Sequence, residues 1–315
     1  MRPAGAGSEA QGGAASPSAG GGAAPHRPHL LRVAYRMLGS HAEAEDMVQE
    51  AYLRWHRAGA SASAGACAGA GTSAGIAEPR AWLTRVVARL CLDHLKSARV
   101  RRERYVGPWL PEPAFSPAPE EPDADTVTLA LMLALERLSP LERAAFLMHD
   151  VFGVGFPEVA RLTGRSEAAA RQLAARARRH VREARPRAAV APDAAAAVTR
   201  AFFEASRSGD AAGLSRLLAD DVEVLTDGGG RRRAALHPIL GRDRAVRLFA
   251  GLARKAGFAR PPVLRRGWID GLPGFATLEA GAVLQTTALA VEPDGIRAVY
   301  IVRNPDKLTR LWPGP

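Results

Sequence analysis

Two clusters of arginine give this chain its plainest chemistry. Arg85, Arg89, Lys96, Arg99, Arg101, Arg102 and Arg104 are offset only by Asp93 and Glu103 between residues 85 and 104. Between residues 161 and 187, nine arginines are offset only by Glu167 and Glu183. A guanidinium fork makes bidentate hydrogen bonds with phosphate and with guanine edges, which the point charge of lysine does not. Lysine appears only at positions 96, 255 and 307. Trp82 stands just before the first cluster, and arginine for the backbone with a ring for stacking suits single-stranded nucleic acid. A solvated basic helix face would leave the same pattern. A GC-rich genome would raise the arginine count but not its clustering. One segment has the opposite sign: Asp46, Gln49 and Glu50, with Glu43 and Leu53, lie beside an apolar helical stripe in a chain of formal net charge +11.

The elements that must position these residues read as helices. Leu30, Val33, Ala34, Met37 and Leu38 recur at helical spacing, and Gly39 ends that helix. Ser40 and Glu43 give the capping-box signature of a second helix, whose stripe is Ala44, Met47, Val48, Ala51 and Trp55. Pro79 suits the first turn of a third, with Trp82, Val86, Leu90 and Leu95 expected to face inward. Residues 126–138 read as a further helix, and Ser139, Pro140 and Glu142 start another that Gly153 and Gly155 break. The run FPEVARLTG is a short helix ended by Gly164, and Ser166 caps a longer basic one. That is helix-turn-helix spacing. The second helix would enter the major groove with Arg165, Ser166, Glu167, Ala168, Arg171 and Gln172 at base edges, leaving Arg176 and Arg179 to phosphates. A basic surface helix of some other bundle is the alternative.

The length of 315 residues, with 47% hydrophobic residues, favours two or three domains. Residues 1–28 hold mostly Gly, Ala, Ser and Pro and read as a disordered tail. Residues 58–77 have the same character and read as a flexible insertion. Residues 105–125 are rich in proline and acid and read as an extended, semi-rigid linker. From residue 192 the pattern becomes helix, helix, strand, turn, helix and then several strands, with a hairpin signal at Asp294 and Gly295. Helices on a mostly antiparallel curved sheet make an α+β domain. Two cysteines without a CxxC give neither a disulfide framework nor metal-ligand spacing, so no cofactor is expected and a reducing cytoplasm fits. No signal-peptide core and no membrane-length apolar run is present, so no membrane partner is expected.

LLRVAYRMLGSHAEAEDMVQEAYLRW, EPRAWLTRVVARLCLDHLKSARVRRER and LSPLERAAFLMHDVFGVGFPEVARLTGRSEAAARQLAARARRHV resemble regions 2 and 4 of a sigma-70-type factor of the extracytoplasmic-function (ECF) group. The linker VGPWLPEP, the turn DGGGR and the late NPDKL resemble the subgroup with a fused SnoaL-like, NTF2-like C-terminal domain. The match runs over about residues 29–310, and the insertion at 58–77 departs from it inside region 2.

The resemblance implies a multidomain chain. Two all-α DNA-binding domains, a region 2 bundle (29–104) and a region 4 helix-turn-helix (126–187), precede an α+β NTF2-like cone (192–315). It implies a bacterial cytoplasmic sigma factor, nucleoid-associated when bound to polymerase. The −10 element is read by region 2 through Trp82, Arg85, Arg89, Lys96, Arg99, Arg101 and Arg102. Region 4 reads the −35 element. Asp46, Gln49 and Glu50 map onto the position that binds the β′ clamp helices of core RNA polymerase. Trp109, Leu110, Pro111, Glu112 and Pro113, with Asp227, Gly228, Gly229 and Gly230 and with Asn304, Pro305, Asp306, Lys307 and Leu308, are expected to make regulatory contacts.

Asp220, Asp221, Asp270 and His237 are the polar candidates for a pocket in the cone, but they form no acid–base constellation. The domain is therefore read as regulatory rather than enzymatic, with room for an unknown small-molecule ligand. The alternative function is a stand-alone helix-turn-helix transcription regulator with a small-molecule-binding domain; the acidic DMVQE helix and the Trp82 block argue against it, because a plain operator binder needs neither.

Overall fold

Glycine and proline set the ends of the N-terminal helices. In the computed structural model, which describes residues 24–63, 78–102, 105–119, 129–183, 190–255, 261–279 and 282–311, α1 (Arg27–Leu38) carries Pro28 in its first turn and stops at Gly39. Gly39 takes a φ of 71°, left-handed backbone that glycine reaches without a Cβ penalty. Helix α1 thus begins within the segment expected to be tail; residues 1–23 lie outside the described residues. The Glu43 N–H donates to Ser40 Oγ (3.3 Å) to open α2 (His41–Ser63). Helix α2 runs past residue 58, the expected start of the insertion. Alanines 58, 60 and 62 extend a helix already nucleated, and propagation costs far less than nucleation. Residues 64–77 lie outside the described residues.

The buried side of α3 (Pro79–Arg102) is offset by one residue from the expected stripe. Leu83, Val87, Cys91 and Leu95 form the fully buried i, i+4 row, with Ala88 and Leu92 beside it. Trp82, Val86 and Leu90 only flank that core. Both rows are apolar, so periodicity alone does not choose between them.

After the linker come α4 (Leu129–Glu136) and α5 (Pro140–Phe146), the latter opened by a complete Ser139–Glu142 capping box. The chain continues through one π turn (Leu147–Val151) to α6 (Phe156–Thr163) and α7 (Glu167–Glu183). Gly164, at φ 67°, makes the turn between the last two. The helices on the two sides of the linker pack against each other in one continuous core, from Leu30 and Val48 to Val159 and Ala174. Helix α4 explains its own sequence, LALMLALE. It is apolar all round because both sides are covered: Met132 and Leu135 face the helical core, while Leu129 and Leu133 join the apolar layer under the C-terminal sheet.

The C-terminal domain opens with α8 (Pro192–Ser208) and α9 (Ala211–Leu217), followed by the long strand β2 (Leu218–Asp227). Next come β3 (Ile239–Leu240), α10 (Arg242–Ala253), β4 (Val263–Ile269), β5 (Leu272–Glu279), β6 (Val283–Glu292) and β7 (Gly295–Val302). The linker adds β1 (Phe115–Ser116), giving the order β1-β4-β5-β6-β7-β2-β3. All pairings are antiparallel except β2 with β7. Helices α8–α10 cover one face around Phe202, Phe249, Phe275 and Val299. The other face is covered by the linker through Leu110 and Phe115 and by Leu129 of α4. The linker is therefore extended as expected, but its described part lies on the C-terminal sheet rather than free between domains. Residues 103–104 and 120–128 lie outside the described residues.

Arg143 ties the helical domains together. Its side chain is 2% exposed, and it donates to Leu135 O (2.9 Å), Met37 O (2.8 Å) and Glu136 Oε1 (2.7 Å). Met37 O belongs to the last turn of α1, where carbonyls lack helical partners. Replacing Arg143 by methionine leaves two carbonyls and a carboxylate without it. Urea unfolding of R143M should show a loss of about 3–5 kcal/mol; a loss under ~1 kcal/mol would remove Arg143 from this role.

Candidate functional site

Strand β2 ends on Asp227, and the turn DGGGR follows. The Asp227 side chain is fully buried yet charged, so it requires partners. Tyr105 OH donates to Oδ1 (2.6 Å), as does the Gly229 N–H (3.0 Å). The Leu110 N–H (2.9 Å) and Lys307 Nζ (2.8 Å) donate to Oδ2. Its backbone carbonyl accepts the N–H groups of Arg303 (2.7 Å) and Asn304 (3.0 Å). Lys307 Nζ also donates to Leu110 O (2.5 Å) and sits 4.0 Å from the Trp109 ring centre and 4.9 Å from that of Tyr105. Asn304 Nδ2 donates to Tyr105 OH (2.9 Å), and Asn304 Oδ1 accepts the Asp306 N–H. Burial, then the hydrogen bond to Asp227, pushes the Tyr105 phenol well above its ordinary pKa, so it stays a donor. Gly229 has a φ of 59°, and a Cβ there would lie 2.3 Å from Asn304 Nδ2. One carboxylate thus gathers the linker, the glycine turn and the C-terminal segment into a latch. Pro305 and Asp306 supply its 3-10 turn, Leu308 packs beneath with Leu110, and Arg231 outside pairs with Asp306 (2.8 Å).

The other end of the linker is held against α1 and α2. Glu112 Oε1 accepts from Ser40 Oγ (2.6 Å) and Oε2 from the His41 N–H (2.8 Å), so a linker carboxylate caps α2. The Glu112 N–H donates to Gly39 O (2.9 Å), and Tyr35 OH donates to Glu112 O (2.8 Å) and Asp270 Oδ1 (3.1 Å). The Trp109 ring lies against Gly39, where a Cβ would come within 2.6 Å of it. Pro111 and Pro113, both buried, flank Glu112. Asp270, at φ 47° in the β4–β5 turn, receives the Ala114 N–H, and its backbone pairs with Ala114 O (2.9 Å). Arg310 of the C-terminal segment pairs with Glu45 of α2.

The residues expected to touch DNA divide. Arg165, Ser166, Glu167, Ala168, Arg171, Gln172, Arg176 and Arg179 are all exposed at the start and along the outer face of α7. The small residues Ala170, Ala174 and Ala177 form its buried stripe. Ser166 caps the helix through the Ala169 N–H (3.2 Å), and Arg171 pairs with Glu167 (3.1 Å). On α3, Arg85 faces Glu158 of α6 (3.5 Å), and Arg89 donates to Leu162 O (3.4 Å). Lys96 pairs with Asp93 (3.1 Å). Trp82 is half-buried, edge-on to Trp55 with ring centres 5.4 Å apart, so its face is partly committed to packing. The side chains of Arg99, Arg101 and Arg102 lie outside the described residues. Asp46 and Gln49 are exposed on α2, Glu50 is half-buried in an ion pair with Arg54 (2.9 Å), and Leu53 on the same face is 46% exposed.

Two family models match the chain: Sigma-70 region 2 over residues 23–101 and Sigma-70, region 4 over residues 128–181. The ECF RNA polymerase sigma factor SigJ of Mycobacterium tuberculosis is 40% identical over 298 residues, covering 90% of this chain and 91% of that protein. This chain belongs to the ECF RNA polymerase sigma factors. A probable ECF sigma factor of the same species, SigI, is 35% identical over 91% of this chain and 93% of its own. The crystal structure of M. tuberculosis SigJ superposes with a TM-score of 0.68 over 90% of this chain and 96% of that one, at 36% identity. The fold expected from the resemblance, two helical sigma regions and an α+β SnoaL-like cone, is the one found.

In this sigma factor, several site residues escaped sequence reasoning. Tyr105 carries no motif, being one aromatic after a basic run. Asp270 was a pocket candidate, yet it holds the linker. Its Asp-Gly turn was the available signal, since β4 and β5 meet there. The other pocket candidates point elsewhere: Asp220 pairs with Arg242, Asp221 with Arg297, and His237 is exposed. Asp227→Asn keeps the shape but leaves the Lys307 ammonium without its carboxylate. It should cost about 3–5 kcal/mol and accelerate amide exchange across residues 105–114. Wild-type exchange there would show that the carboxylate does not hold the linker.

Proposed function

We propose that this sigma factor brings core RNA polymerase to promoters and is regulated in cis by its SnoaL-like domain. The face of α2 formed by Asp46, Gln49, Glu50 and Leu53 docks on the β′ clamp helices. Helix α3 takes the melted −10 strand through Trp82 and its arginines. The N-terminal turn of α7 enters the major groove of the −35 element, with Arg171 and Gln172 at base edges and Arg176 and Arg179 on phosphates. The protein acts by binding, in the bacterial cytoplasm, with no catalytic step of its own.

The observation that carries the reading is the placement of the linker. The segment joining the two DNA-reading regions is held by Asp227 of the C-terminal domain, while Arg85 and Arg89 face α6. Two regions packed on one core cannot reach two promoter elements set apart along DNA. The latched arrangement is therefore the one that must open, and the C-terminal domain sets how readily it does. That gives the fused domain the work of a separate anti-sigma factor.

Run-off transcription with purified core polymerase on a promoter library tests this directly, using the full chain and a chain ending at Arg187. Discrete transcripts that require the protein, in amounts that differ between the two chains, are expected. No transcript from either, with both folded and bound to DNA, would point instead to a stand-alone DNA-binding regulator. For α7, changing Arg176 and Arg179 together to alanine should weaken binding to all sequences and lower the salt slope by about 2. An unchanged slope would take both residues off the phosphates.

A further inference from the structure

The cone of the C-terminal domain holds a cavity of about 340 Å³ between its helices and its sheet. That is within the ~300–1,000 Å³ range of small-molecule sites. The wall is apolar over most of its extent: Phe202, Leu248, Phe249, Phe275 and Ile301 line it. Among the described residues, the charged ones lining it are all cations, namely Arg207, Arg233, Lys255 and Arg303. Arg233 and Lys255 are exposed, while Arg207 and Arg303 lie deeper. Glu279 is the acid behind them, fully buried and engaged in a two-bond pair with Arg207 (2.7 and 3.0 Å). Arg303 Nη1 donates to Arg233 O (2.6 Å), a neutral acceptor. Burial lowers the pKa of Arg303, Glu279 counters this, and Arg232 and Arg207 lower it further. Gln285 and Thr287 add polar atoms to the same wall.

These features select a ligand by elimination. An organic cation would meet like charge. A neutral hydrocarbon would fill the apolar part but displace water from the polar atoms of Gln285, Thr287 and the guanidinium groups without replacing its hydrogen bonds, which is costly. A small polar anion would match the charge but leave the aromatic wall wet. We propose that the cavity binds an amphipathic carboxylic acid, its carboxylate on Arg303 near Gln285 and Thr287 and its apolar body between the aromatic side chains and α10. The site is separate from the latch but close to it. Thr226 lines the cavity, and Asp227, the next residue of β2, points to the opposite face and holds the linker. The Arg303 N–H is itself bonded to Asp227 O.

Isothermal titration of the full chain with decanoate, decanol and decyltrimethylammonium tests the assignment without polymerase, so its outcome stands apart from the transcription test. Decanoate should bind saturably at one site. Decanol should bind about 10- to 100-fold more weakly, as expected for loss of charged hydrogen bonds, and the cation weaker still. A parallel titration with 2-naphthoate distinguishes a chain from a fused ring of the same charge; saturable binding of either acid supports the proposal. Arg303→Gln should reduce decanoate to the level of decanol, and Leu248→Trp, which fills the cavity, should abolish binding of both. No saturable binding of either acid would overturn the proposal. So would decanol binding as tightly as decanoate, or a folded L248W chain that binds decanoate like wild type.

Discussion

A carboxylate with no solvent exposure has to be surrounded by donors, and in this protein all but one of them come from two distant parts of the chain. Tyr105 and Leu110 precede Asp227 by more than a hundred residues, and Lys307 follows it by eighty. Apart from the Gly229 N–H, none of the donors is local, so each of these contacts holds only while the others hold. That interdependence makes the linker part of the C-terminal domain. Through Glu112 it then fixes the start of α2, and through Leu110 and Phe115 it covers an apolar face of the sheet that would otherwise lie open.

The second constraint is that helix α4 belongs to two cores. Because it is short and apolar on every side, it cannot leave either core without exposing leucines to water, at roughly 1.5–3 kcal/mol for each large side chain. Arg143 adds a polar clasp at the same place, joining the last turn of α1 to α4 and α5. Separation of the two sigma regions therefore requires linker, α4 and Arg143 contacts to change together. Such a transition is two-state in character rather than gradual, and it suits an element that must be closed or open.

Much of this was legible in the sequence where the determinants are local. Gly39, Ser139 and Gly164 act within one turn of their own helices, and all three helix ends are where they were expected. The helix-turn-helix is set by such ends, so its geometry was readable too. What could not be read depends on partners far along the chain. The offset face of α3 was hidden because Trp82, Val86 and Leu90 form as apolar a row as Leu83, Val87 and Cys91, and only packing against α1 and α2 separates them. Helix α2 ran past residue 58 because alanine propagates a helix that composition alone describes as linker. The linker looked like a spacer because nothing local says that Phe115 and Ser116 pair with β4. Motif resemblance located Asp227, Lys307 and Leu110, but not that they converge on one pair of oxygen atoms.

The two-residue strand β1 has a further effect. It is the outermost strand of the sheet, so the end of β4, Trp268 and Ile269, is paired on its outer side by the linker. Any state in which the linker leaves the sheet uncovers Trp268 and Ile269 as well, so that the open edge runs the whole length of β4, the kind of template on which other chains add strands and aggregate. The side chains of Arg265 and Arg266 stand exposed along that strand, Arg265 over the Phe115 ring at 5.5 Å. Paired charges on an edge oppose the approach of a second, identical edge. Were the linker to leave, both arginines would still oppose self-association; while it is in place, Arg265 lines its seat and Arg266 lies over the Phe203 ring of α8 on the other face.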